Sequence, residues 1–107
     1  MPLTQSTRDG HLRLLVNGGF TIFQAAEYKP QLLGVIDNAD EMLEMDLSGV
    51  DEIDTTGLQL LLLMKREAAL QYKQLFFNGI SPAVQNVIDM LHLQGTFDIQ
   101  PSIQGLA

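Results

Sequence analysis

The segment from Leu43 to Tyr72 restricts the possible folds of this chain more than any other segment. Residues 43–47 alternate strictly, with Leu43, Met45 and Leu47 separated by acidic residues, which predicts a strand with one apolar face. Apolar residues then recur at helical spacing over residues 58–72, which predicts a long helix. A strand that leads into a helix in this way is typical of α/β domains.

The residues before this segment predict a hairpin followed by a helix. Asn17, Gly18 and Gly19 tolerate turn conformations and lie between two apolar runs, so we expect antiparallel strands over residues 11–16 and 20–23. A helix is expected over residues 24–39. It should either kink near Tyr28 or restart at Pro30, because proline lacks the backbone donor that a helix interior needs.

The residues after the long helix continue the alternation of strands and helices. A buried strand is predicted over residues 75–78, and Ser81 followed by Pro82 is a typical helix start for a third helix over residues 82–91. A weak last strand is expected over residues 97–99. The pattern therefore predicts an α/β domain opened by a hairpin, with parallel strands later in the sheet.

Composition excludes several classes of function. The chain has 107 residues, of which 46% are hydrophobic, so it should form one domain with one core. A net charge of -7 argues against a nucleic-acid partner. No apolar run approaches the roughly 18 residues that a membrane span needs, so no membrane insertion is expected. The absence of cysteine fits a cytoplasmic location.

Eight acidic residues follow one another in the middle of the chain without an intervening Lys or Arg. They either form a solvated surface that keeps the protein soluble or steer it toward a basic partner surface. These residues are Asp37, Asp40, Glu41, Glu44, Asp46, Asp51, Glu52 and Asp54.

The four residues Asp54, Thr55, Thr56 and Gly57 lie where the strand gives way to the long helix. A helix N-terminus favours an oxyanion, so phosphorylation of a threonine hydroxyl is one interpretation. Capping of the helix by Asp54, Thr55 or Thr56 is the other, and physical reasoning alone favours it. Gly57 would permit a close backbone approach. Residues 58–64 carry more apolar positions than one buried stripe needs, so part of this helix is a candidate interface.

The sequence offers no catalytic or metal site. His11 and His92 are far apart and next to no nucleophile motif. Asp46, Asp51 and Asp54 match no calcium loop, and no phosphate-binding loop is present. We therefore expect neither an enzyme nor a chain that binds a metal or cofactor itself.

Two motifs, residues 46–50 (DLSGV) and 53–58 (IDTTGL), resemble the signature of the STAS domain, which sulphate transporters and bacterial anti-sigma factor antagonists share. The resemblance covers about residues 11–99, in order. It implies a single STAS domain with loose termini, spanning residues 1–107. The implied fold is a mixed sheet of four to five strands opened by an N-terminal hairpin, with three to four helices packed around it.

The resemblance also implies a function. The hydroxyl that directly follows the Asp of the motif is the phosphorylated one in this family, which corresponds to Thr55 here, with Thr56 as the lesser candidate. The implied role is that of an anti-sigma factor antagonist or similar partner-switching regulator. Its partner would be a histidine-kinase-like protein that is both anti-sigma factor and serine/threonine kinase and that binds the ATP. A phosphatase would restore the unphosphorylated state.

The expected surface around the phosphorylated loop includes residues of both motifs and of the helix that follows. The alternative function is an adaptor subunit that is never phosphorylated and that docks on a transporter ATPase or on a chemotaxis-associated kinase. The residues expected to form the loop and the docking surface are Asp46, Ser48, Asp54, Thr56, Gly57, Leu58 and Leu61.

Overall fold

The computed structural model describes residues 3–93 and Gly95. After an opening pair of strands, helices and strands alternate along the chain. The elements are β1 (Leu3–Arg8), β2 (His11–Phe20), α1 (Ile22–Asn38), β3 (Met42–Ile53), α2 (Thr55–Leu70), β4 (Gln74–Ile80) and α3 (Pro82–Met90).

The four strands form one mixed sheet in the order β1-β2-β3-β4. β1 pairs with β2 antiparallel, whereas β2, β3 and β4 run parallel to one another. Parallel neighbours need a crossover connection, and α1 and α2 supply the two crossovers. The prediction of an α/β domain with a mixed sheet and an N-terminal hairpin is confirmed.

The hairpin turn lies eight residues earlier than the sequence pattern suggested, at Asp9 and Gly10 rather than at residue 17. Both turn residues have positive φ, 52° at Asp9 and 83° at Gly10, as the favoured two-residue hairpin turn requires. The predicted turn at Asn17–Gly19 was wrong, because these residues lie inside β2 where its register with β3 shifts. Gly18 there has a φ of 84°, which identifies the glycine pair as a strand irregularity.

The first helix begins earlier than predicted and is not divided. Thr21 is the N-cap: its hydroxyl accepts from the backbone N–H of Phe23, and the Gln24 side chain completes a capping box. The predicted strand over residues 20–23 was therefore wrong after Phe20. Pro30 lies inside α1 without ending it. Since Pro30 is exposed, water can hydrate the carbonyl oxygen of Ala26, which the proline leaves without its helical donor.

The remaining elements follow the predicted order. β3 is longer than expected and extends to Ile53, and β4 and α3 lie where the sequence placed them. The Ser81 hydroxyl accepts from the backbone N–H of Val84 and caps α3, as predicted. The predicted strand over residues 97–99 lies outside the described residues.

One apolar core joins the sheet to the three helices. Leu43, Met45 and Leu47 of β3 are each at most 1% exposed, which confirms the predicted apolar face of this strand. α1 and α2 also pack against each other. The largest side chains with almost no exposure are Phe20, Leu14, Leu32, Ile36, Leu43, Met45, Leu47, Leu61, Met64, Ile88 and Val16.

The other face of β3 differs from the expectation of a solvated acidic face, because Glu44 is only 2% exposed. Its carboxylate accepts from Arg13 Nε at 3.1 Å and from Asn78 Nδ2 at 2.9 Å, and it lies 2.9 Å from His11 Nε2 and 3.5 Å from Arg8 Nη1. Burial would raise the pKa of Glu44, but these partners outweigh it and lower the pKa to about 2. Glu44 therefore stays ionised inside the fold.

Asp46 belongs to the same polar cluster. It is 8% exposed and pairs with the guanidinium group of Arg13. Its other carboxylate oxygen accepts from the backbone N–H of Ser48 at 2.9 Å. The acids Glu44 and Asp46 of β3 thus stabilise the sheet from within rather than form a surface.

Candidate functional site

The loop between β3 and α2 joins the starts of two helices through one carboxylate. Asp54 is the N-cap of α2, and its Oδ1 accepts from the backbone N–H of Gly57 at 2.9 Å. Its Oδ2 accepts from the backbone N–H of Ile22, the first residue of α1, at 3.0 Å. A single side chain therefore satisfies a free donor at each of two helix N-termini.

Backbone donors also determine the charge state of this carboxylate. The N–H groups of Gly57 and Ile22 hold the pKa of Asp54 below its usual value, and burial opposes them only weakly. Asp54 is thus an anion across the physiological range. It provides the negative charge that the positive ends of both helix dipoles favour.

Gly57 allows the loop to lie directly against the end of β2. A Cβ atom at residue 57 would lie 1.8 Å from the carbonyl oxygen of Phe20, far inside contact distance. Phe20 is the last residue of β2 and precedes the cap of α1. The predicted close approach at Gly57 is therefore present, and its counterpart is the β2–α1 junction.

The two threonines differ in exposure. Thr55 is the first residue of α2 and is exposed, whereas Thr56 is half-buried. Thr56 lines a shallow groove of about 290 Å³ between α1 and α2, which we call the α1–α2 groove. Neither threonine is the helix cap, because Asp54 has that position. Thr55 is therefore the more exposed of the two residues.

The acidic residues do not form one continuous surface. Glu44 and Asp46 are buried in the sheet, as described above. Asp51 and Glu52 are exposed near the C-terminal end of β3, next to the Thr55 loop, whereas Glu41 is exposed at its opposite end. Asp51 and Glu52 are therefore the exposed acids that lie nearest to the loop in the chain.

Four of the residues expected on the docking surface do not lie beside Thr55 at the surface. Leu58 and Leu61 are 3% and 0% exposed and belong to the core, so their prediction as docking residues was wrong. Asp46 and Ser48 lie in the middle of β3. At about 3.3 Å per residue, Ser48 is on the order of 15 Å from the end of that strand. What we call the Thr55 loop is the N-cap and first turn of α2, which are Asp54, Thr55, Thr56 and Gly57.

Ile22 and Phe23, which the sequence reasoning assigned to a strand, are exposed beside the loop. Their exposed fractions are 61% and 87%, and they form the first turn of α1. The Asp54 contact with Ile22 holds this turn next to the Thr55 loop. The pattern Thr21-x-x-Gln24 is a capping-box signal that could have located the start of α1 and thus these residues.

Neither a metal site nor a membrane-spanning helix accompanies the loop in the described part of the chain. No three His, Cys, Asp or Glu side chains within residues 3–93 are arranged to hold a metal ion. Over the same residues, no helix has the length and apolarity needed to cross a bilayer. His11 contacts Glu44 in the sheet cluster, and His92 is an exposed residue after α3.

Comparisons with known proteins agree with this architecture. A family model described as "Mlab, STAS domain" matches residues 3–101. BtrV of Bordetella bronchiseptica, named as a candidate anti-sigma factor antagonist, is 23% identical over 107 residues, which cover all of this chain and 92% of that protein.

Solved structures share the fold at low sequence identity. An anti-sigma factor antagonist from Mycobacterium paratuberculosis superposes with a TM-score of 0.75 at 21% identity, over 96% of this chain and 87% of that one. The antagonist SpoIIAA in its unphosphorylated form gives a TM-score of 0.70 at 13% identity, over 96% and 90% of the two chains. The phosphorylated form of SpoIIAA, from Bacillus, gives 0.67. The two motifs lie on β3, the loop and the start of α2, and the family model matches almost the whole chain. This chain therefore belongs to the STAS-domain family.

Proposed function

We propose that this protein is an anti-sigma factor antagonist whose binding to its partner is controlled by reversible phosphorylation of Thr55. The observation that carries the proposal is the exposure of Thr55, the first residue of α2, beside Asp54 and Gly57, whose contacts fix the start of this helix. Thr56 is the lesser candidate because it is half-buried in the α1–α2 groove.

The partner in this proposal is a histidine-kinase-like protein that acts as both anti-sigma factor and serine/threonine kinase. It binds the ATP, whereas this chain binds no cofactor and catalyses no reaction. A separate phosphatase removes the phosphate. The supporting comparisons are the antagonist relatives, one of which, SpoIIAA, has been solved both with and without its phosphate. The proposed site of action is the cytoplasm, because a sigma factor acts on transcription.

Charge gives the modification its effect. A phosphate on Thr55 adds about -1.5 to -2 charge beside the exposed carboxylates of Asp51 and Glu52. The N-terminus of α2 offsets only about 0.3 to 1 kcal/mol of the resulting repulsion at an exposed position. Two like unit charges about 4 Å apart in an interface cost about 4 kcal/mol at an effective dielectric constant of about 20, or roughly a thousandfold in affinity. Release of the partner therefore needs no refolding.

The test uses the purified kinase-type anti-sigma factor of the same cell, with ATP and magnesium. Mass spectrometry should find one phosphate on the wild type and on Thr56→Ala, and none on Thr55→Ala. Thr55→Glu should bind the partner at least a hundredfold more weakly than the wild type.

Gln74→Glu is the matched control for the added charge. Gln74 is exposed at the start of β4, where it pairs with Met42, so it lies at the edge of the sheet opposite the Thr55 loop. The same negative charge placed there should leave the affinity for the partner unchanged.

The opposite results would reject the proposal. If Thr55 remains unmodified and Thr55→Glu binds as tightly as the wild type, no phosphorylation switch operates there. If, in addition, Thr55→Val weakens assembly with a transporter ATPase, the chain is a constitutive adaptor subunit.

A further inference from the structure

The α1–α2 groove begins beside the Thr55 loop and is apolar along most of its length. α2 contributes Thr56, Gln59, Leu60 and Leu63, which recur at helical spacing on one face. α1 contributes Ala25, Ala26 and Lys29. The small side chains of the two alanines keep the groove open, and its volume of about 290 Å³ suits one or two large apolar side chains.

The first turn of α1 extends this apolar surface toward the loop. Ile22 and Phe23 lie three residues before Ala25 and Ala26, on the same side of the helix. They are 61% and 87% exposed, although they are large apolar residues. From Ile22 to Lys29 the surface extends about 10 Å along α1, at about 1.5 Å per residue, which is two turns of helix.

Charged groups define the two ends of the groove. Lys29 is exposed at one end, and no carboxylate of the described residues lies within ion-pair distance of it. The other end of the groove, at Thr56, adjoins the Thr55 loop, and the exposed residues Asp51 and Glu52 directly precede that loop in the chain. An occupant would therefore place its own carboxylate at Lys29 and away from Thr55.

We propose that the α1–α2 groove is the docking site for an amphipathic helix of the partner protein. The helix would insert one or two large apolar side chains between Ala26 and Leu63 and pair a carboxylate with Lys29. This inference rests on the proposed function, because it assigns the surface on which the same partner binds.

The test measures the affinity of the purified kinase-type anti-sigma factor for the full chain by titration calorimetry. Ala26→Arg places a long side chain across the groove and should weaken binding at least tenfold. Ala69→Arg is the matched control, because Ala69 is likewise exposed on a helix but lies at the opposite end of α2, and it should change the affinity less than twofold. Arginine is a good helix former, so both variants should fold.

Lys29→Glu gives an independent measurement that does not depend on filling the groove. It should weaken binding about tenfold at low salt, and the effect should decrease at high ionic strength because salt screens exposed ion pairs. A purely structural effect of the substitution would not show this salt dependence.

The outcomes distinguish this inference from the proposed function. If Thr55→Glu weakens binding while Ala26→Arg and Lys29→Glu bind as the wild type does, the switch stands and the groove is not the docking site. If Thr55→Glu also has no effect, the proposed function itself fails. If sedimentation shows that the chain alone is a dimer and that Ala26→Arg dissociates it, the occupant is a second copy, and the proposed partner helix is rejected.

Discussion

Glu44 and Asp54 are two carboxylates with lowered pKa values on the same strand–loop unit, but the physical causes differ. Glu44 is buried, and side chains of β2 and β4 keep it ionised against the effect of burial. Asp54 lies at the edge of the fold, and backbone donors at two helix N-termini keep it ionised. The first arrangement links β2, β3 and β4 through side chains, whereas the second lies next to the exposed Thr55 at the start of α2.

Gly57→Ala should have the largest effect, because the Asp54 arrangement depends on backbone contact. The new Cβ would lie 1.8 Å from the carbonyl oxygen of Phe20, and no side-chain rotation can relieve a clash with the main chain. We expect a loss of about 4 kcal/mol in the free energy of unfolding, above the roughly 1–3 kcal/mol of ordinary overpacking. Denaturant unfolding measures it.

Gly34→Ala is the matched control for this variant. Gly34 lies inside α1 and a Cβ there meets nothing within 4 Å, so the substitution should stabilise the chain by about 0.5 to 1 kcal/mol. Equal effects at the two glycines would show that the Gly57 contact with Phe20 does not hold the loop.

Glu44→Gln should have the next largest effect on the free energy of unfolding, and this effect should depend on pH. The pKa of Glu44 is about 2 in the fold against 4.5 for the free side chain, so its ionised form stabilises the fold fully above pH 4.5. This contribution, about 3 kcal/mol at 1.36 kcal/mol per pKa unit, is lost as the pH falls toward 2. Glu44→Gln should therefore be less stable by about this amount at pH 7.

The same variant should lose its disadvantage in acid, because protonated Glu44 and Gln carry the same charge. The difference between the unfolding free energies of wild type and variant should decrease steadily from pH 5 to pH 2. Glu41→Gln, which changes an exposed residue, should leave the stability unchanged at every pH. A difference that stays constant with pH would contradict the ion-pair account of Glu44.

Asp54→Ala should have the smallest effect on stability of the three variants. It tests directly whether backbone donors hold Asp54 in the way that side chains hold Glu44. It removes one helix cap and the bond to Ile22, so we expect a loss of about 1 to 2 kcal/mol in the free energy of unfolding. Asp51→Ala removes an exposed carboxylate from the end of the same strand and should cost almost nothing. If both variants unfold alike, Asp54 does not act as a shared cap.

The sequence predicted the elements that depend on local patterns. The alternation in β3, the apolar positions of α2 and the cap at Ser81 are visible in neighbouring residues, and the structure has all three. The hairpin was predicted at the wrong turn, because Asn17–Gly19 and Asp9–Gly10 carry similar turn residues. Residues Asn17–Gly19 belong to β2 because they pair with β3, and no local sequence pattern reveals that pairing.

The candidate site was predicted only in part. The motif located Asp54, Thr55, Thr56 and Gly57 in one loop. It did not show that Ile22 and Phe23 lie beside them, since residues more than thirty positions apart meet only when parallel β2 and β3 place their ends at the same edge of the sheet. It also misassigned Leu58 and Leu61, because a helix with apolar residues on most of its faces does not show which of them enter the core.

Local sequence patterns are sufficient to identify an α/β domain with a hydroxyl pair at a helix start, because periodicity and turn chemistry act over a few residues. The folded structure was needed to show which threonine is the more exposed, which acids are buried and which helix lies beside the loop. Burial and long-range hydrogen bonds depend on how the β2–α1 and β3–α2 junctions meet. Asp54 is the clearest case, because its partner in α1 is 32 residues away along the chain.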